Sequence, residues 1–346
     1  VGEESDRRPP RMDDVAKRAG VSVGTVSHVL NHPERVASRT LDRVNRAIEE
    51  LGFVPDRRAR ALAGGSSALI GFVVLDLTNS YFVDMARGAE EEAQLAGMNV
   101  VLANSDLQAA KELTYLHLFD EERVAGILLT PLARRDEQAW RSAGWRGELV
   151  ILNTEAEPDR CSVVPDDELG GYLAARHLIE VGRRNLVFAG GLFGLAPVAN
   201  RLRGAERAVA ETNGAVRMST VVAGGLRPHH GREIGRGLAE RSPADRPDGV
   251  VAAADLLALG IVQSLAGDPT LRIPDDLSVV GYDNNQASWE SEIPLTTVAQ
   301  PGHAIGQTAA RLLIDEIRHP ATHLHQHVRI DPQLIVRGSS VPASGR

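Results

Sequence analysis

Seven short apolar runs punctuate residues 69–284, and their alternation with amphipathic segments constrains the fold more than any other feature of this chain. The runs are LIGFVVLD (69–76), NVVLANS (99–105), GILLTP (126–131), ELVILNT (148–154), NLVFAGG (185–191), GVVAAAD (249–255) and SVVGYDN (278–284). Amphipathic stretches at 82–96, 111–122, 170–181, 201–211 and 256–265 lie between most of them. Strands that are apolar throughout are buried on both faces, and strands that alternate with helices are joined by crossovers. The pattern therefore predicts parallel sheets covered by helices on each side. Several runs end on a polar residue or small loop, at Asp76, Ser105, Asn153, Asp255 and Asp283. In such sheets the carboxyl ends of the strands form the ligand crevice. With only six Phe and four Tyr, the core must be built of Val, Leu, Ile and Ala.

A different pattern precedes this body. In MDDVAKRAGVSVGTVSHVLN (12–31) apolar residues fall at Val15, Ala16 and Ala19, then at Val21, Val26, Val29 and Leu30. That is helical spacing on two segments broken at Gly20, a natural left-handed stop. Ser22 is placed to cap the second helix, with Thr25 three positions on. The other face of that helix offers Val23, Gly24, Ser27 and His28, small or hydrogen-bonding groups able to meet base edges. The layout is that of a helix-turn-helix, which lays one helix in the major groove of DNA. A third helical pattern, Leu41, Val44, Ala47, Ile48 and Leu51, ends near Gly52.

Bulk properties fit this division. A length of 346 residues favours more than one core. The net charge is −8, yet residues 7–65 hold 12 Lys/Arg against 7 Asp/Glu, which leaves −13 on the rest. A basic head on an acidic body suits a protein whose head meets phosphates. The single cysteine, Cys161, excludes an internal disulfide, and no apolar run approaches the roughly 18 residues of a membrane span. The opening VGEESDRRPPR lacks the apolar core of a signal peptide, so the cytoplasm is the expected compartment.

Eight segments, in order along the chain, resemble the LacI/GalR family of bacterial transcription regulators. They are DVAKRAGVSVGTVSHVLN, RVASRTLDRVNRAIEELGFVPDRRARAL, LIGFVVLDLTNSYFVDMARGAEEEA, RLRGAERAV, AAADLLALG, LSVVGYDN, PLTTVAQP and LIVRGSS. The resemblance implies an all-α helix-turn-helix head at 12–55, a hinge helix and linker at 56–67, and an α/β body at 68–340. It further implies that the body is periplasmic-binding-protein-like, with two Rossmann-like subdomains: 68–167 with 297–327, and 168–296 with 328–340. Residues 1–11 are expected to be disordered and 341–346 to form a tail. Such a protein binds a palindromic operator in double-stranded DNA as a homodimer, under control of a small effector. The effector is expected to be a sugar, with a nucleobase or nucleoside as the alternative; a solute-binding protein without regulatory DNA binding is the competing class.

Carried over by the resemblance, Val23, Gly24 and His28 face bases, while Ser22, Thr25, Asn31 and Thr40 bind phosphates. Arg57, Ala59, Arg60 and Leu62 belong to the hinge, Leu62 as the wedge that enters the minor groove. Two positions depart from the family pattern: His28 stands where Arg is commoner, and Gly24 has no side chain to read with. Ala37 occupies the place of a common Ser cap for the third helix, and Ser38 is expected to substitute. For the effector, Arg201 of the RxxG motif would aim its fork at a ligand oxygen, and Asp255 and Asp283 would accept hydroxyl hydrogens. Asn79, Tyr81, Phe82, Ser105, Asn153 and Asp166 would line the other walls. Ala254 replaces a commonly polar residue and Leu226 a stacking aromatic, while Trp289 either closes the cleft or packs on the surface.

Other signals carry less. GGLFG (190–194) lacks the rest of a dinucleotide fingerprint and reads as a strand-end turn. His323, His325 and His327 alternate and would share one face of a strand, but a solvated loop before the last strand is the expectation, with no metal assigned. No Ser/His/Asp or Cys/His set has motif support, so no catalytic residue, no cofactor and no enzymatic activity are expected.

Overall fold

The computed structural model describes residues 8, 10–53, 67–132, 142 and 145–341. The chain forms two compact units, residues 1–67 and 68–346. The hinge positions Arg57, Ala59, Arg60 and Leu62 lie outside the described residues, as do residues 1–7 and 342–346 at the two ends.

The first unit contains α1 (Met12–Ala19), α2 (Val23–Asn31) and α3 (Ser38–Leu51), with a 3-10 turn at Pro33–Arg35. Its core is small: Val15, Ala16, Ala19, Val26, Val29, Val44, Ala47 and Phe53. Helix α1 stops where expected, at Gly20 in the left-handed conformation with φ 63°. The Ser22 Oγ accepts the Thr25 N–H at 3.1 Å and caps α2. The turn is tied from outside by Arg43 of α3, which donates to the carbonyls of Ala19 at 2.5 Å and Gly20 at 3.0 Å. These are carbonyls that the end of α1 leaves without helical partners. One expectation fails: Ala37 itself is the N-cap of α3, with no side-chain cap, because Ser38 already lies inside the first turn.

The second unit holds two six-stranded sheets. The first comprises β1 (Leu69–Val74), β2 (Asn99–Asn104), β3 (Gly126–Leu129), β4 (Glu148–Leu152), β5 (Ser162–Pro165) and β11 (His327–Ile330), in the order β11-β5-β4-β3-β1-β2. The second comprises β6 (Asn185–Gly190), β7 (Arg217–Val222), β8 (Gly249–Ala252), β9 (Ser278–Tyr282), β10 (Thr296–Ala299) and β12 (Gln333–Ile335), in the order β12-β10-β9-β8-β6-β7. All pairings are parallel except β10 with β12. The two sheets repeat one doubly wound topology, in which ligands sit beyond the carboxyl ends of the strands where the winding reverses. The expected subdomain limits move by a few residues: β10 pairs with β9 through Ala299's neighbours and stays in the second sheet, while β11 pairs with β5 through Ile330 and stays in the first. The chain therefore crosses near Gln300 and again between Ile330 and Gln333, rather than at 297 and 328.

Helices α4 (Ser80–Leu95), α5 (Ala109–Glu121) and α11 (Gly302–Arg318) cover the first sheet; α6 (Asp167–Glu180), α7 (Ala196–Ala210), α8 (Pro228–Ala239) and α9 (Asp255–Leu265) cover the second. A one-turn helix, α10, spans Gln286–Trp289. Strand alternation sorts the side chains: Ile70, Phe72 and Val74 join the core under α4 and α11, while Val73 joins the one under α5. Three helix pairs cross at paired glycines. A Cβ on Gly306 would stand 1.8 Å from the Met85 carbonyl oxygen, one on Gly171 1.9 Å from that of Arg201, and one on Gly260 2.0 Å from that of Pro228. Backbones can approach this closely only where a side chain is missing.

The seven runs do not reach β5, β7, β10, β11 or β12, and the amphipathic stretches do not reach α8, α10 or α11. Strand β7 is an edge strand without a continuous apolar run, and α8 carries Gly231, Gly235 and Gly237, which weaken its helical signal. Helix α11 has ordinary helical spacing at Ile305, Ala309, Leu312 and Leu313. The glycines make a two-sided prediction for urea denaturation. Gly306→Ala forces helices apart and should cost roughly 1–3 kcal/mol. Gly237→Ala, in open space on the exposed face of α8, should gain roughly 0.5–1 kcal/mol.

Candidate functional sites: an exposed helix face and an interdomain cleft

In the first unit, α2 turns Val26 and Val29 into the core and leaves Ser22, Val23, Gly24 and His28 exposed, with Thr25, Ser27 and Thr40 half-buried. Val23, 42% exposed, is a large apolar residue turned to solvent next to a glycine, on a helix whose N-terminus is already capped. Asn31 is the last residue of this helix. A flat face with one apolar methyl pair, a hydroxyl group and an imidazole can slide against base edges without a bulky side chain holding it off.

In the second unit, the strand ends of both sheets converge on one cleft. Its inner chamber, about 90 Å³, is lined from the first sheet by Asp76, Asn79, Tyr81, Phe82 and Asn153, and from the second by Val198, Arg201, Leu226, Arg227, Ala254 and Asp283. Gln300, at the crossing, also lines it. An outer vestibule of about 400 Å³ shares Asn153 with the chamber and adds Thr154, Glu155, Asp166, Asn200, Arg203 and Arg329. Of the nine expected effector residues, Asn79, Tyr81, Phe82, Asn153, Arg201 and Asp283 line the chamber and Asp166 the vestibule. Ser105 and Asp255 line neither. The Ser105 hydroxyl is buried and donates to the Val74 carbonyl at 3.0 Å, and Asp255 accepts the buried Asn285 N–H at 2.7 Å. Both hold strand ends in shape. Trp289 does not line the cleft; it is half exposed, with the Arg337 guanidinium over its ring at 5.7 Å.

The chamber is organised by a buried charge cluster. Arg201 Nε donates to Asp167 Oδ1 at 2.8 Å, Nη1 donates to the Ala253 carbonyl at 2.6 Å, and Nη1 lies 3.6 Å from Asp283 Oδ1. The guanidinium also stacks on Tyr282, 3.8 Å from the ring centre. Burial pulls the Arg201 pKa down, but the Asp167 and Asp283 carboxylates more than offset it, so the group stays charged. Burial raises Asp167 and Asp283, and Arg201 opposes the rise in each. Asp255 has no such partner: burial first and Asp283 second push it up to about 8.

Direct bonds already span the cleft. Asn79 Nδ2 donates to Asp283 Oδ2 at 2.7 Å, and Asn285 Nδ2 donates to Asn79 Oδ1 at 3.2 Å. Arg227 from the second sheet reaches Asp76 at 3.3 Å and Asp106 at 3.0 Å on the first. Gln300 donates to Asp283 Oδ1 at 2.6 Å, while its Oε1 is buried without a hydrogen-bond partner among the described residues. Asp167, Arg227 and Gln300 were not singled out by the sequence reading, although Arg227 adjoins Leu226, which was. Backbone strain gathers here too: Asp106, Leu107, Asn153 and Asp283 have φ of 52°, 57°, 63° and 107°. Such conformations cost roughly 1–3 kcal/mol each and persist where surrounding structure demands them. At Asn153 and Asp283 they let the chain turn off the strand with its side chain in the cleft.

The Asp255 carboxyl supplies a test of this electrostatic picture. Unfolded, it loses its proton near 3.8; folded, it keeps the proton to about 8. Between those values the folded state binds the extra proton, so this group's contribution to stability is full below pH 4 and is lost as pH rises to 8. Asp255→Asn is neutral throughout. Its stability relative to the parent should therefore improve steadily from pH 5 to pH 8; a flat difference would mean that the carboxyl is ionised in the folded protein.

Comparison with known proteins is consistent across both units. Residues 11–56 match the family model for bacterial regulatory proteins of the lacI family, and 175–340 match the periplasmic binding protein-like domain. The HTH-type transcriptional repressor PurR of Aliivibrio fischeri (strain MJ11) is 31% identical over 331 residues, covering 95% of this chain and 97% of that protein. Among solved structures, the lac repressor dimer bound to operator and the anti-inducer ONPF is 26% identical, with a TM-score of 0.80 over 97% of this chain and 100% of that one. The transcriptional regulator CelR–cellobiose complex is 28% identical, with a TM-score of 0.69 over 96% of this chain and 100% of that one. The chain thus belongs to the LacI family: it is a DNA-binding transcriptional repressor, not an enzyme, with a periplasmic-binding-protein-like effector domain.

Proposed function

We propose that this repressor answers to a neutral, polyhydroxylated ligand, a carbohydrate, held in the chamber between the two sheets. One observation carries the reading: the polar groups that line the chamber are mostly acceptors, and they are held by bonds that a hydroxyl can replace. Asp283 accepts from Asn79 and Gln300 and Asp76 from Arg227, while Arg201 has committed Nε to Asp167 and Nη1 to the Ala253 carbonyl. A ligand rich in hydroxyl donors satisfies those acceptors; an anion would add charge beside buried carboxylates. Phe82, Leu107, Val198 and Leu226 supply the apolar walls on which a sugar ring packs. That the structurally similar CelR is a cellobiose complex supports the same class. The inner chamber alone, at about 90 Å³, falls below the roughly 300–1,000 Å³ of small-molecule sites. The ligand therefore displaces Asn79 from Asp283 and reaches into the vestibule.

This displacement links ligand to DNA. Asn79–Asp283 and Arg227–Asp76 are bonds between subdomains, so a ligand that replaces them changes the angle between the sheets. The head is joined to the body through the segment preceding Leu69 of β1, so that angle sets the spacing of two heads in a dimer. A dimer gains affinity because binding of one head raises the effective concentration of the other. Edge strand β2, where Val101 and Leu102 are each 40% exposed, is the surface we assign to pairing with a second copy. As a repressor of operator DNA, the protein works in the cytoplasm. On the head, Val23 and His28 read bases and Gly24 faces them, while Ser22, Thr25, Asn31 and Thr40 hold phosphates.

A nucleobase is the second reading, favoured by the predominance of apolar residues on the chamber wall. Titration calorimetry against neutral sugars, sugar phosphates and nucleobases separates the classes. A neutral sugar should bind, and Asp283→Asn should weaken it at least about tenfold, the worth of one hydrogen bond to a charged group. Preference for a phosphorylated ligand, or for a base with Asp283→Asn unchanged, would sink the carbohydrate assignment. On a duplex selected by the purified protein, His28→Ala should cost roughly 1–3 kcal/mol at its own base pair yet leave the slope against salt unaltered.

A further inference from the structure

The opposite end of the first sheet, away from the cleft, carries a second constellation. Cys161 immediately precedes β5, Glu316 lies in the last turn of α11, and His323 and His325 sit in the segment leading to β11. One ligating atom from each, Sγ, a carboxylate oxygen and two imidazole nitrogens, falls within 4.8 Å of every other. His323 Nε2 is 3.2 Å from Cys161 Sγ and 4.0 Å from Glu316 Oε2. His325 Nδ1 is 4.0 Å from Sγ and 3.8 Å from Glu316 Oε1.

We propose that Cys161, Glu316, His323 and His325 form a binding site for a divalent transition-metal ion of the zinc type. Bond lengths of about 2.0–2.3 Å in a tetrahedral zinc site place neighbouring ligand atoms about 3.3–3.8 Å apart. The separations found here bracket that range, so small rotamer shifts close the site. Thiolate and imidazole select zinc, cobalt or copper over magnesium or calcium, which take oxygen ligands.

Three further details suit a bound cation. Glu316 is buried, 7% exposed, and its Oε2 has no hydrogen-bond partner among the described residues. A buried carboxylate oxygen left in that state is costly. His323, whose side chain is 2% exposed, has its far nitrogen fixed: Nδ1 is 2.7 Å from Asp315 Oδ2, which turns Nε2 toward the thiol. A carboxylate behind the ligating imidazole is the usual outer partner of a metal-bound histidine. Finally, the Gln326 backbone N–H donates to Cys161 Sγ at 3.3 Å and holds the sulfur beside His323 Nε2. The expectation of a solvated loop at these histidines thus fails at His323, which is packed beneath the end of α11. His327 is separate; its Nδ1 pairs with the Ser162 hydroxyl at 2.8 Å.

A bound ion would join the start of β5, the end of α11 and the approach to β11, three segments far apart in sequence. They meet at the end of the sheet where Leu69 also begins β1.

The chain has a single cysteine, so any thiolate-to-metal charge-transfer band reports Cys161 alone. Full-length, untagged, metal-stripped protein titrated with Co²⁺ should develop that band, saturating at one ion per chain and bleaching on addition of Zn²⁺. Cys161→Ser should abolish it, and Asp315→Asn should weaken Co²⁺ binding about 10–100-fold by freeing His323. Zn²⁺ should raise the melting temperature of the parent and not that of Cys161→Ser. Should either variant fail to fold, the parent titration alone decides. Cobalt binding without a thiolate band, or no retained ion at all, would overturn the proposal and leave the cluster a neutral hydrogen-bonded network.

Discussion

The Arg201 guanidinium holds the centre of the effector domain together, because it is the charge that lets two buried carboxyl groups and a strand-end carbonyl approach one another. Asp167 opens α6, Asp283 closes β9 and the Ala253 carbonyl ends the strand between them; all three meet Arg201 on α7. Removing one partner from such a cluster costs about 3–5 kcal/mol, since it strands a buried charge. The pair itself contributes less than that to net stability. Its value lies in placement: Asp283 is fixed where Asn79 and Gln300 can reach it from the other side of the cleft.

That arrangement makes the cleft a balance of modest bonds instead of a rigid joint. Arg227 is 42% exposed where it bridges to Asp76 and Asp106, and ion pairs of this kind contribute about 0–1 kcal/mol. Asn79–Asp283 is a single hydrogen bond to a buried carboxylate. A ligand that offers equivalent hydrogen bonds can exchange with these at little net cost. The tight glycine crossings within each subdomain, by contrast, leave no slack. On the function proposed above, the change falls between the sheets, where the chain crosses, with each sheet kept as a body. This is the two-state element that a repressor needs if a small ligand is to alter its grip on DNA.

Much of this was legible in the residues. Continuous apolar runs placed seven strands; six are buried on both faces, which leaves no choice of side chain, while β2 keeps its apolar run at an exposed edge. Gly20 and Ser22 placed the turn of the DNA-reading head, because only certain residues end and begin helices. The polar strand ends named Asp76, Asn153 and Asp283 in the cleft, and the family resemblance added Asn79, Tyr81, Phe82 and Arg201. Edge strand β7 and the glycine-bearing α8 escaped, because half-exposed strands and close-packed helices lack the composition of their kind. Ser105 and Asp255 ended strands as the others did, yet they turn inward to backbone groups, which spacing along one strand does not reveal.

The sequence by itself determined the two-part plan, the family and the residue types that end each strand, because periodicity and capping are local properties of the chain. Only the tertiary structure decided which of those residues face one chamber, that Arg227 and Gln300 join them, and that Cys161 meets two histidines and a buried glutamate from more than 150 positions away. Pairings across such distances depend on how sheets stack and where the chain crosses between them. No window of neighbouring residues carries that information.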